Sequence, residues 1–404
     1  MAGFGHDHTV RHFVMYRCQK IGPVENNLRR DCKNLSFLDR PSAHIIILAS
    51  MCFIIVFAGF SLDFTGALEK TDFDGPFYTV QLQKLILHRQ TILAWPLFRV
   101  FVPALSIVSS HFLHISYRHS MQLLSPLFMV LIICFIYGAN RHSLKTAFYT
   151  SAFLISFPVI MLYAGTYFIE LPFLAFLLTS LWYWDRFLHT WAKTDFGLTL
   201  LFSIFGLMVK EAFLVHLVIM GLYAFIFFKS KRKIIAAVYV PMALLLTAVY
   251  YFQYEYLFSI VKPLVVNSFA TNTITTNFHP IDMHGIVVFF SSFRGGFIHI
   301  VINFVLTFGL AHLLIAFLWK QQPHRRAAML IYFGALFAML IFIAINMNTG
   351  HRYALLCFGP SYLLLISKKI SAYFNDGRLP AFFAASVAVN LLLVVAYVIH
   401  QHRI

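Results

Sequence analysis

Acid is scarce in this sequence. Asp and Glu number 15 in 404 residues, against 31 Lys and Arg, and residues of either charge make up only 11%. An ordinary soluble domain carries about 25% charge, so a surface built mainly for water is excluded. Cysteine is also sparse. Cys18, Cys32, Cys52, Cys134 and Cys357 lie far apart and show no metal-ligand spacing. Small buried or reduced thiols are expected at these positions. No internal repeat stands out, and a repeated half is what many transporters would show. No cleavable leader is expected either. The first 40 residues are polar and basic, and the first apolar run starts only at Ala43.

What fills the sequence is apolar. Hydrophobic residues make up 60% and aromatics 17%. Runs near 20 residues recur, the length a helix needs to cross ~30 Å of hydrocarbon. The expected fold is all-α, a polytopic transmembrane helical bundle. Spans read at roughly 43–64, 121–139, 146–162, 171–184, 196–209, 213–228, 234–252, 297–318, 327–346, 354–366 and 380–399. The organisation expected is a basic cytoplasmic tail, 1–42, followed by one transmembrane domain, 43–404. The formal charge of +16 raises nucleic acid as a partner. It is set aside, because the charges are spread among loops and form no sequence-reading module.

The run "TILAWPLFRVFVPALSIVSSHFLHI", 91–115, is apolar but carries Pro96, Arg99, Pro103 and His111. Prolines and an arginine are poor company for lipid. The excess of Lys and Arg in cytoplasmic loops decides its status. If it does not cross and the N-terminus is cytoplasmic, 21 of the 31 Lys and Arg fall inside. If it crosses, "KSKRK" (229–233) and "KQQPHRR" (320–326) land outside. The first arrangement fits far better. Residues 77–115 then lie on or dip into the outer leaflet, about 11 spans remain, and the C-terminus is outside. Residues 65–120 become a first large external loop and 253–296 a second.

The stretch "TDFDGPFYTV", 71–80, opens that first loop with Asp72 and Asp74. The outer face also collects Glu170, Lys210 with Glu211, and His351 with Arg352. Each has a structural reading. Asp72 and Asp74 suit a solvated loop with a turn at Gly75-Pro76. Glu170 suits a helix start, with Pro172 close behind. Lys210 and Glu211 suit an interfacial pair, and Arg352 an anchor at a span start. The joint pattern says more. Acids take a proton from a hydroxyl or hold a metal, and cations hold a phosphate. Both kinds on one side of a membrane point to transfer from a phosphate-bearing lipid. Histidines inside apolar runs, His44, His216, His299 and His312, read as core or interface residues.

In order and spacing these motifs resemble the glycosyltransferase C superfamily, whose members include protein O-mannosyltransferases and aminoarabinose transferases. Asp74-Gly75-Pro76-Phe77-Tyr78 is similar to the family's first-loop acidic motif with its following tyrosine. Pro158, "MLYAGTY" and Glu170 follow as a span-ending proline, a short aromatic loop and an acid opening the next span. Met208-Val209-Lys210-Glu211 is similar to a Lys-bearing span end, and Arg352-Tyr353 with Pro360 to a late external motif. The likeness runs over roughly 43–230 and again at 350–366. It departs in the acidic doublet, here Asp-Phe-Asp, and no large soluble C-terminal domain is visible.

The resemblance implies a multi-pass enzyme of a bacterial inner (plasma) membrane with an external site. It would move a sugar from a polyprenyl-phosphate or -diphosphate donor to a glycan, lipid or protein acceptor among membrane lipids. Asp74 is then the base, with Asp72 beside it. Arg352 is the phosphate clamp, with Lys210 and His351 as further donor contacts, and Glu170, Glu211 and Tyr78 in support. Asp72, Asp74 and Glu170 are the candidates for holding a divalent cation, magnesium or manganese. Two other readings use the same charges: an O-antigen polymerase or ligase, and a transporter or flippase of an anionic lipid or solute.

Overall fold

The computed structural model describes residues 41–61, 99–140, 143–157, 160, 170–210 and 212–261, with short pieces at 319–320, 326, 381, 384–392 and 395–396. Among them every regular element is helical. The expected spans 297–318, 327–346 and 354–366 lie outside the described residues, as do most of both large loops. The chain divides into two compact units, residues 1–49 and 50–404. Of the first, only the opening turns of one helix are described.

Up to Val261 the described residues form eight α-helices in chain order: α1 Pro41–Ser61, α2 Phe101–Leu113, α3 Tyr117–Ala139, α4 Leu144–Ile155, α5 Glu170–Thr190, α6 Lys193–Val209, α7 Phe213–Phe227 and α8 Arg232–Val261. A 3₁₀ turn, Lys229–Lys231, joins the last two. Local chemistry sets several ends. Ser116 caps α3 by accepting the His119 N–H at 3.2 Å, and Ser143 caps α4 by accepting the Thr146 N–H at 3.3 Å. Two hairpin corners close through a residue in the left-handed region, His114 after α2 and Trp191 after α5. That conformation ends a helix by turning the chain off its axis.

Among the described residues two stretches, His119–Ala139 and Lys229–Tyr256, are long and apolar enough to cross a membrane. Helix α2, with 13 residues, is about 20 Å long, shorter than the hydrocarbon layer. It folds back on the start of α3 through serines. Ser120 Oγ donates to the Ser106 carbonyl at 2.8 Å and shares a 2.6 Å hydrogen bond with Ser109 Oγ. Small hydroxyl side chains let the two backbones approach closely. The start of α2 is wedged inward, where Phe101 meets Phe176 of α5 and Phe205 of α6 at 5.3 and 5.1 Å between ring centres.

Among the described residues the buried core is mainly apolar but includes many polar side chains, and large apolar side chains lie on the outside. Ser125, Thr146, Thr150, Ser151, Thr199 and Ser203 are buried, while Phe53, Phe57, Leu244, Leu245 and Phe252 are exposed. Apolar faces of this extent are unstable against water. They suit a hydrocarbon solvent, inside which polar groups must find partners within the protein. The two free thiols described fit no metal or disulfide. Both are free, as expected of reduced thiols; Cys52 is half-buried and Cys134 faces outward on α3.

The core of the second unit is built on α5. Glu170, Phe173, Leu177, Ser180, Trp184 and Phe187 recur at spacings of three and four, one stripe along a helix. All are buried. Phe173 meets Phe213 of α7 edge-on at 6.1 Å. Trp184 donates its indole N–H to the Met220 carbonyl of α7 at 3.2 Å. Because residue numbers rise together along these contacts, α5 and α7 run parallel, with α6 antiparallel between them.

Candidate functional site

The α5–α6 hairpin brings Glu170 and Lys210 together. Glu170 is the first residue of α5, and Lys210 caps the end of α6. A carboxylate at a helix start and an ammonium at a helix end both complement the helix dipoles. The extended backbone of Lys210, φ −159°, ends α6 there. Its Nζ donates to Glu170 Oε1 at 3.1 Å. Both residues are buried, with 1% of their surface exposed. Leu171, Val209, Ala212 and Phe213, all buried, lie beside them in the chain. A pair in such surroundings is held together by the low dielectric, and loss of either member strands the other charge.

Glu170 and Lys210 were read from the sequence as a supporting acid and a donor contact, without any sign that they touch. Asp72, Asp74, Tyr78, Glu211, His351 and Arg352 lie outside the described residues. Glu170 is thus the one described member of the candidate cation-holding set, and its carboxylate holds an ammonium. Among the described residues no group of three or more His, Cys, Asp or Glu gathers at one point.

Several polar residues at the helix interfaces carry no role in the sequence reading. Arg99, at the inward start of α2, is buried with 2% exposure. The signal for Arg99 was present in the sequence as an arginine in a run otherwise fit for lipid. His216 is the interface histidine it was expected to be. Its Nε2 lies 3.2 Å from Ser180 Oγ across the α5–α7 contact, and its Nδ1 is buried without a hydrogen-bond partner. His44 is buried too, while His299 and His312 are outside the described residues.

At the opposite end of α5 the acids are held by neighbours. Asp185 accepts the Tyr223 hydroxyl of α7 in a short hydrogen bond, and His189 Nδ1 lies 3.6 Å away. Asp195 of α6 pairs with Arg186 at 3.3 Å and accepts from Thr190 Oγ1 at 3.3 Å. From end to end, polar contacts punctuate the packing of α5 against its neighbours: Glu170 with Lys210, Ser180 with His216, and Asp185 with Tyr223.

Compared with protein-family models, curated proteins and solved structures, the chain matches none.

Proposed function

We propose that this is a multi-pass membrane glycosyltransferase, with a polyprenyl-phosphate-linked sugar as donor and a site on the outer face of a bacterial plasma membrane. The observation that supports this most is the buried Glu170–Lys210 pair at one end of a helical bundle with exposed apolar faces. These are the two positions at which the resemblance expects an acid opening one span and a lysine closing the next. In this reading Glu170 fixes the ammonium of Lys210 at the mouth of the hairpin. Asp74 takes the proton of the acceptor hydroxyl as its oxygen attacks the sugar carbon. The bond from that carbon to the phosphate oxygen breaks, and the polyprenyl phosphate leaves with its charge held by Arg352.

A second reading, transport of an anionic lipid or solute, gains support from the Ser180–His216 contact midway along the α5–α7 interface. One assay separates the two. The protein in nanodiscs is given a panel of radiolabelled polyprenyl-phosphate sugars and membrane extract as acceptor source. Release of free polyprenyl phosphate, dependent on Asp74, is the result expected of a transferase. Movement of the intact lipid across vesicles, with no release for any donor, overturns it in favour of transport.

A further inference from the structure

We propose that the corners joining α5 to α6 and α7 to α8 form one binding surface for anionic phospholipid headgroups. The two corners touch. Lys231 Nζ lies 5.3 Å from the centre of the Trp191 ring, and the His189 and Phe228 rings are 4.9 Å apart. Five cations crowd this surface: Lys193, Lys229, Lys231, Arg232 and Lys233. All but the half-buried Lys231 are exposed or partly so. The two acids nearby do not offset them. Asp195 is paired with Arg186, and Asp185 lies beneath Tyr223 and His189. Among the described residues no carboxylate lies within ion-pair distance of the five.

Charge alone would accept any polyanion. The surroundings select a lipid. Directly past Lys233, α8 turns outward Ile234, Val240, Leu244 and Leu245, and α7 turns outward Leu222. A phosphate among the cations thus has apolar helix faces just beneath it, where acyl chains lie. Trp191, half-buried under Lys231, is the amphipathic ring that favours the headgroup level. Arg232 is held in place by donating from Nε to the Phe225 carbonyl at 2.9 Å. A nucleic acid or acidic protein would meet the charges but leave the apolar band unused. Clusters of Lys and Arg at the cytoplasmic ends of spans bind anionic lipids in this manner.

This inference rests on the membrane reading above, and its test keeps the two apart. The detergent-purified full chain is titrated with phosphatidylglycerol and with phosphatidylcholine of identical acyl chains, and bound lipid is read by native mass spectrometry. Phosphatidylglycerol should bind at least ~10-fold more tightly, as two or more of the cations at ~1 kcal/mol each would give. The preference should fade in ~1 M salt, where the screening length falls to about 3 Å. The four-site variant Lys229→Gln, Lys231→Gln, Arg232→Gln, Lys233→Gln should lose roughly fivefold in affinity per charge removed. Lys231 and Arg232 also make local contacts, so the exposed pair Lys229→Gln and Lys233→Gln provides a variant whose melting temperature should not move but whose preference shrinks. Equal binding of both lipids by the native chain overturns the site and leaves the membrane reading standing. A chain that stays soluble without detergent and binds neither lipid overturns both. Displacement of phosphatidylglycerol by glycerol phosphate at equal concentration assigns the surface to soluble anions and overturns the lipid assignment.

Discussion

At the scale of single residues, the Glu170–Lys210 pair has a structural consequence that can be separated from its proposed role. Glu170→Gln or Lys210→Met alone leaves a charge buried without its partner and should cost ~3–5 kcal/mol. The double variant removes both charges and should regain most of that loss. Thermal unfolding in detergent of the two single variants and the double variant reads this coupling; additive losses would show that the pair does not interact as the 3.1 Å contact requires. The proposed chemistry predicts a difference in kind elsewhere. Asp74→Asn keeps size and hydrogen bonding but cannot take a proton, so single-turnover transfer should fall ~10²–10⁴-fold while donor binding survives. Arg352→Ala should instead weaken donor binding by ~1.5–3 kcal/mol for each hydrogen bond to phosphate that it removes. Near-native transfer by the Asp74→Asn enzyme would remove Asp74 from its role. The sequence showed that Glu170 and Lys210 were out of place in lipid; it did not show that they meet. Forty residues separate them, and only the α5–α6 hairpin brings them within reach.

At the scale of elements, the sequence located helices well and their ends poorly. The spans expected at 121–139, 196–209 and 213–228 agree with α3, α6 and α7 to within a few residues. The span expected at 171–184 instead continues to Thr190, and the one at 234–252 to Val261. The reason is physical. A hydropathy reading stops at the first charge, whereas a helix stops where its backbone loses hydrogen bonds. Asp185 and Arg186 do not end α5, because Tyr223 and Asp195 satisfy them. The reversal of α2 onto α3 was only half legible. Pro96, Arg99 and Pro103 argued against a crossing, but the serine contacts that fold the hairpin carry no periodic signal. Helix packing gives a paired prediction. A methyl group at Gly206 of α6 would collide with the Phe213 ring, and one at Gly197 meets nothing within 4 Å. Gly206→Ala should destabilise by ~1–3 kcal/mol through overpacking. Gly197→Ala should stabilise by up to ~1 kcal/mol, because alanine loses less backbone freedom in a helix. Melting of the two variants side by side checks both signs.

At the scale of the whole molecule, the placement of charge among the described helices fits one orientation. The α5–α6 and α7–α8 corners carry Lys193 and Lys229–Lys233, and the Glu170–Lys210 pair sits at the other end of the same helices. In the proposed arrangement, with positive charge inside, that pair would face out. Ser230 is exposed on the 3₁₀ turn and Lys145 lies in the first turn of α4. Single cysteines placed there should label only from the cytoplasmic side; labelling of both from outside would invert the arrangement. In the proposed function the Glu170–Lys210 end receives a prenyl phosphate. The most direct measurement is the affinity of the full chain in nanodiscs for polyprenyl phosphate and for polyprenol of the same length, in the native form and in the Glu170→Gln, Lys210→Met double variant. At least ~10-fold preference for the phosphate is expected in the native protein, as one charge-assisted contact would give. The double variant should stay folded and keep only the part of that preference that Arg352 supplies, which is what a donor site at the Glu170–Lys210 end implies. Equal affinity for the two lipids in the native protein, or an unchanged preference in a folded double variant, would contradict it.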